Sequence, residues 1–176
     1  MDKLSSIRAA TFADVPAINA IYSENVLHGT ASWELTPPND NEIRRRMQTI
    51  LEQGYPYFVA ESGGKIVGYT YASSYRPRLG YRFLVENSIY VDNAYQRCGI
   101  ARQLMTTLID ACTAQGFRQM IAVIGDSANI ASIELHRSLG FVQVGFLPNI
   151  GFKHGRWLDC VLMQRALGEG SATLPL

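Results

Sequence analysis

The sequence predicts an α/β (α+β) fold, a mixed sheet of about seven strands with helices on both faces. Three observations predict it. Segments with strand character alternate with segments of helical period, in the order β-α-α-β-β-β-α-β-α-β-β. The run from Gln119 to Ile124 is almost continuously apolar, as expected of a strand covered on both faces. No internal repeat and no long linker divides the chain, so one domain is expected over 1–176, with a core at 7–167 and a tail at 168–176.

Taken in order, Ile7 to Ala10 forms a short first strand. Thr11 and Asp14 have capping-box spacing, and Pro16 suits the first turn of a helix. Val15, Ile18, Tyr22 and Val26 then mark one helical face. His28 to Glu34 is a loop. Pro37-Pro38-Asn39-Asp40 caps a second helix whose apolar face carries Ile43, Met47, Ile50 and Leu51, and Gly54-Tyr55-Pro56 stops it. Tyr57–Glu61 and Lys65–Ala72 flank the turn Ser62-Gly63-Gly64, which reads as a hairpin. A polar stretch, Tyr75 to Tyr81, precedes a strand over Leu84–Val91. The next helix spans Ile100–Gln115 with Ile100, Leu104, Leu108 and Cys112 on one face, and Gly116 ends it. After the strand at Gln119–Ile124 comes a helix over Ala128–Ser138, stopped by Gly140. Phe141–Phe146 and Trp157–Arg165 are the last strands, joined by a loop over Pro148–Arg156. The tail from Gly168 is small and expected to fray.

Composition removes several classes of function. Sixteen basic and fifteen acidic side chains leave a net charge of +1, which gives no electrostatic case for nucleic acid or an anionic membrane. No apolar run is long enough for a membrane span, and Met1 to Ser6 lack the apolar centre of a signal peptide, so a cytoplasmic location is expected. Three cysteines, Cys98, Cys112 and Cys160, read as reduced thiols, and no Cys/His spacing suggests a metal.

The stretch Val85 to Arg102 carries the chemistry. A strand leads into the small, basic segment Gln96-Arg97-Cys98-Gly99-Ile100-Ala101 and then into a helix. The first N–H groups of a helix lack intrahelical partners, and the dipole is positive there. Gly99 lets a ligand approach the backbone. Together these make a pyrophosphate site. It is neither a P-loop, since no Gly-Lys-Ser/Thr follows, nor a dinucleotide fingerprint, since only one of the three glycines is present. Ligand is expected where the parallel central strands part.

Gln96-Arg-Cys-Gly99-Ile-Ala101 after a strand resembles the acetyl-CoA signature of the GCN5-related N-acetyltransferase (GNAT) family, Gln/Arg-x-x-Gly-x-Gly/Ala. The resemblance runs from about Ile7 to Leu167. Within the family the chain is most similar to the phosphinothricin and methionine sulfoximine acetyltransferases. Trp33-Glu34, Tyr75-Arg76-Pro77, Val85 to Val91, Asn129-Ile-Ala-Ser132, His136 and Gly151 to Trp157 carry that narrower match. The resemblance implies the acyl-CoA N-acyltransferase fold, a mostly antiparallel sheet, acetyl-CoA as cosubstrate and a homodimer.

Acetyl transfer to an amine has three requirements. The thioester must be held. Arg97, Cys98, Gly99, Ile100, Ala101 and Arg102 are expected at the pyrophosphate, with Cys98 packing there and not acting as a nucleophile. Ile89, Tyr90 and Val91 are expected to pair with the pantetheine arm as an added strand would. By resemblance Asn129 contacts the coenzyme. The amine must also lose a proton, because it is largely protonated at neutral pH. Glu86, inside the otherwise apolar Phe83 to Glu86, is the candidate base, acting through water. Finally, the leaving thiolate benefits from a proton. The resemblance brings His136 near the sulfur, where it can donate a proton or act as a second base.

A free amino acid presents a carboxylate, which calls for arginine. The resemblance implies a substrate site of Arg76, Pro77, Arg78, Glu86, Asn87 and Ser88, with Tyr81 beside them. Trp33 and Phe152-Lys153 are candidates to cover it, from the same or a second subunit, and Trp157 reads as core. The expected activity is acetylation of the α-amine of a small L-amino-acid analogue of the phosphinothricin, methionine sulfoximine or methionine sulfone class. A same-fold acetyltransferase of a protein N-terminus or polyamine, or a non-catalytic CoA-binding module, is the alternative.

Overall fold

A computed structural model describes residues 6–175. Seven strands form one sheet in the order β1-β2-β3-β4-β5-β7-β6. They are β1 (Ser6–Ala9), β2 (Tyr57–Ser62), β3 (Lys65–Ser74), β4 (Leu84–Val91), β5 (Gln119–Gly125), β6 (Val142–Lys153) and β7 (Arg156–Ala166). Among the described residues only β4 and β5 pair in parallel, and every other pairing is antiparallel. The helices are α1 (Val15–His28), α2 (Asp40–Glu52), α3 (Ile100–Ala114) and α4 (Ile130–Ser138).

The sequence-derived order and fold class hold. The expected apolar faces of α1 and α3 are buried; on α2, Ile43 and Met47 are buried while Leu51 is partly exposed. The capping box forms, with Thr11 N–H and Oγ1 both donating to Asp14 Oδ2. Asn39 caps α2 by accepting from Glu42 N–H at 2.9 Å.

One face of the sheet is covered by α1 and α2. Their residues Ile18, Tyr22, Val26, Ile43 and Met47 pack on Tyr57, Val59 and Tyr69. The opposite face carries α3 and α4, where Met105, Leu108, Ile109 and Ile133 pack on Val85, Met120, Ala122, Ile124 and Phe141. Strand period sends alternate β4 residues to opposite faces. Val85 and Asn87 go to the α3 side, and Tyr90 goes to the α1 side.

Three expectations require correction. The loop predicted over Pro148–Arg156 is largely strand: β6 continues to Lys153, and the turn is confined to His154 and Gly155. An irregular register between Leu147 and Gly151, with Pro148 and Gly151 near it, hid that continuity. Trp157 is not core but 61% exposed, on the outer hairpin. The tail does not fray over its described residues. Arg118 donates to Gly170 O, Leu174 O and Thr173 Oγ1, and Leu167 is buried. The last residue, 176, and the leader region 1–5 lie outside the described residues.

Candidate active site

The two parallel strands are paired only along Leu84–Glu86 and Gln119–Ile121. Beyond that point β4 stays with β3 as far as Val91, while β5 stays with β7 as far as Gly125. The β5-facing edge of β4 from Asn87 onward therefore has no strand partner among the described residues. A free strand edge offers N–H and C=O groups to an extended ligand.

A cavity of about 430 Å³ begins at this edge and runs to the start of α3. It is lined by Ile89, Tyr90, Val91, Arg97, Gly99, Ile100, Ala101, Arg102 and Asn129, nine of the ten residues expected to hold the coenzyme. Cys98 is the exception. It is exposed and its Sγ approaches Gln96 O, so the packing role expected of it is not found. Gly99 is the residue before α3 and has φ +77°, a left-handed conformation that L side chains adopt at a cost. This turn leaves the first N–H groups of α3 open toward the cavity.

A second cavity, of about 380 Å³, fills the gap between the parted strands and shares Ile89, Tyr90, Asn129 and Ser132 with the first. It brings together both faces of β4: Glu86, Ser88 and Tyr90 with Asn87 and Ile89. Burial pushes the Glu86 carboxyl above its ordinary value. His136 is only 2% exposed. Its Nδ1 lies 2.8 Å from the carbonyl oxygen of Ser132 and its Nε2 lies 2.9 Å from Asn87 Nδ2. Both ring nitrogens thus have a hydrogen-bond partner.

The outer wall of this cavity comes from the loop Ala31–Glu34. Ser32 Oγ and Tyr22 Oη are 2.8 Å apart, and Tyr22 Oη also donates to Glu34 Oε1. Arg46 of α2 donates to the same Glu34 oxygen. Lys153 of β6 donates to Ser32 O at 2.7 Å. The lysine thus pins the loop within its own chain. Trp33 is wedged against two glycines: a Cβ at Gly151 would stand 2.1 Å from its ring, and one at Gly125 would stand 2.9 Å from it.

A third cavity, of about 580 Å³, shares Glu86, Trp33 and Val123 with the second. Arg76 stands on its rim, and its walls include Leu147, Ile150 and Leu162. Of the predicted substrate residues, Arg76, Glu86, Asn87 and Ser88 line these two cavities. Pro77, Arg78 and Tyr81 stand outside them on an exposed loop. Sequence reasoning missed Ser32, Val123, Leu147, Ile150 and Leu162. Nothing local marks them, since they look like ordinary strand and loop residues until β6 is seen to continue.

Comparison with known proteins fits this geometry. Residues 7–162 match the family model for the acetyltransferase (GNAT) domain. The chain is 50% identical over 170 residues to phosphinothricin N-acetyltransferase of Alcaligenes faecalis, covering 97% of this chain and 86% of that one. It is 43% identical over 161 residues to the L-methionine sulfoximine/L-methionine sulfone acetyltransferase of Pseudomonas aeruginosa, covering 91% and 93%. Its structure superposes on a GNAT-superfamily phosphinothricin acetyltransferase from Sinorhizobium meliloti, solved in complex with acetyl-CoA. The TM-score is 0.96 at 50% identity, covering 100% of this chain and 94% of that one.

Replacing Gly99 with valine puts a β-branched side chain in a left-handed turn and closes the approach to the α3 N–H groups. Calorimetry with CoA is expected to show a loss of affinity of at least tenfold, with the melting temperature lowered by only a few degrees by the backbone strain. An affinity equal to wild type would remove this loop from the binding site.

Proposed function

The chain belongs to the GNAT family of acetyltransferases, which take their acetyl group from acetyl-CoA, and from that membership we propose that it acetylates the free α-amine of a small L-amino-acid analogue. The observation that carries this reading is the sharing of one cavity by Arg76 and Glu86, with apolar walls around them. A guanidinium suits a carboxylate. A carboxylate of raised pKa suits an amine that must lose a proton. The apolar walls suit the methyl group that phosphinothricin, methionine sulfoximine and methionine sulfone all carry on a tetrahedral centre. Relatives named for these substrates support the same class.

In the proposed mechanism acetyl-CoA supplies an activated acyl group as a thioester. The backbone of Ile89 to Val91 orients the pantetheine arm, and an N–H there faces the carbonyl oxygen as charge develops on it. Arg97, Arg102 and the opening N–H groups of α3 hold the pyrophosphate. Asn129 contacts the arm from the β5 side. Arg76 takes the amino-acid carboxylate, with Arg78, Pro77 and Tyr81 as its flank. Glu86 removes the amine proton through a water. Transfer is direct, with no acyl-enzyme: the amine nitrogen bonds to the acetyl carbon, the carbon–sulfur bond breaks, and CoA leaves as the thiolate, which takes up a proton from solvent.

We extend the proposal to a homodimer. Val142, Val144, Phe146, Ile150, Phe152 and Trp157 leave an exposed apolar strip on the β6–β7 hairpin, which a second copy would cover.

The direct test is release of free thiol from acetyl-CoA over a panel of amines. Methionine sulfoximine, methionine sulfone and phosphinothricin are expected to be turned over well above spermidine or a peptide N-terminus; preference for either of the latter would reject the substrate class. Glu86→Gln is expected to lower turnover about 10²- to 10⁴-fold, the span of a general base. The same change is expected to raise the melting temperature near neutral pH. The sign follows from linkage: a carboxyl whose folded pKa exceeds its unfolded value costs stability as pH rises through that window, and a neutral amide removes the cost. Turnover equal to wild type across the pH profile would dismiss Glu86 as the base. Arg76→Ala is expected to raise KM for the amino acid about ten- to a hundredfold, as loss of a charged hydrogen bond does, with a smaller effect for Arg78→Ala. Equal effects on KM for acetyl-CoA would count against a carboxylate role. For the dimer, light scattering on wild type and Phe146→Asp is expected to give a dimer and a monomer; a monomeric wild type would refute it.

A further inference from the structure

Among the described residues, one buried side-chain polar atom lacks a hydrogen-bond partner: Asn87 Oδ1. Asn87 is 7% exposed and lines the cleft between the parted strands. An unpaired amide oxygen at that depth is costly unless something meets it. The other end of the amide is occupied, since Nδ2 is directed at His136 Nε2 and at Met105 Sδ.

The imidazole decides which end of the amide is left without a partner. Ser132 O is a carbonyl and can only accept, so Nδ1 carries the proton in its 2.8 Å bond. In a neutral ring Nε2 is then an acceptor, which requires the NH₂ end of Asn87. Turning the amide over would demand a proton on both nitrogens. Burial disfavours that charge and lowers the His136 pKa below its ordinary value. Among the described residues the groups hydrogen-bonded or ring-packed to His136 are Asn87, Ser132 and Phe141, and none is charged.

We propose that His136 is a positioning residue: as a neutral Nδ1–H imidazole it locks the Asn87 amide so that the buried, unpaired Oδ1 is left as the acceptor for an N–H group of a ligand bound in the cleft. Two N–H donors come within the chemistry of the site, the amine of the acceptor amino acid and an amide of the pantetheine arm. The inference rests on reading this cleft as the acetyl-transfer site, which thiol release by the wild-type enzyme tests separately.

The test compares His136→Leu with His136→Gln in the full-length enzyme. A glutamine oxygen can accept from Asn87 Nδ2 but cannot titrate; leucine can do neither. His136→Leu is expected to lower kcat/KM at least tenfold, and His136→Gln to recover most of that loss with an unaltered pH profile. A glutamine variant as impaired as the leucine variant, or one that loses a limb of the pH profile, would show His136 to be an acid or base and overturn the proposal. The ligand is identified by where the leucine variant fails. A weaker Kd for CoA by calorimetry assigns the arm amide, and a higher KM for methionine sulfoximine alone assigns the amine. If both constants stay at wild-type values, Oδ1 has no ligand partner and the proposal falls. A measurement on the wild-type protein guards against misfolded variants. Nitrogen-15 NMR of the imidazole is expected to show a neutral ring with Nε2 unprotonated at pH 7; an imidazolium or an Nε2–H tautomer would contradict the lock.

Discussion

The structure turns on the place where two parallel strands stop pairing. β4 and β5 bond only along Leu84–Glu86 and Gln119–Ile121, and each then follows its antiparallel neighbour on the other side. Seven antiparallel pairs of residues hold β4 to β3, and seven hold β5 to β7. Those pairings, and not the few parallel bonds, fix the strands' paths. The gap between them is therefore a rigid feature, and an extended molecule can enter it as though it were another strand.

The same parting explains how residues of opposite strand faces meet. Glu86 and Asn87 are consecutive, so their side chains point to opposite sides of the sheet. In an unbroken sheet they would serve separate compartments. Where the sheet opens, both line one cleft, with α1 and the Ser32 loop on one side and α4 on the other. Beneath the Glu86 side lies a layer of tyrosines. Tyr69 stacks on Tyr90 at 5.2 Å, and Tyr57 stacks on Tyr71 at 4.9 Å. Burial keeps Tyr57, Tyr69 and Tyr90 well above their ordinary pKa and raises that of Tyr71, so the layer stays uncharged beside a carboxylate that is itself pushed up. A carboxylate placed this way is a stability cost at neutral pH.

Much of this was legible in the sequence, for local reasons. Leu84–Val91 reads as a strand and is one, and the helix expected to start at Ile100 starts there, because strand propensity, a glycine turn and helical period agree over adjacent residues. Nine of the ten residues expected at the coenzyme accordingly line a single cavity. The cavity shared by Arg76 and Glu86 was legible only in part. Its walls at Trp33, Val123, Leu147, Ile150 and Leu162 come from distant segments, and their convergence depends on β6 running through a stretch whose Pro148 and Gly151 read as loop. His136 could be placed on its helix by period, but its burial and the bonds at both nitrogens depend on β4 and α4 meeting across the sheet. Arg118 holds the tail by a contact far along the chain that no local pattern signals.

The claim at the centre of this account is that the open edge of β4 and the mouth of α3 form one continuous site for the coenzyme. Amide hydrogen exchange with and without saturating CoA tests it most directly. The account predicts slowed exchange concentrated at residues 89–91 and 99–102, with β1 and β2 unchanged. Exchange at those two segments that is indifferent to CoA, with protection appearing elsewhere, would contradict it.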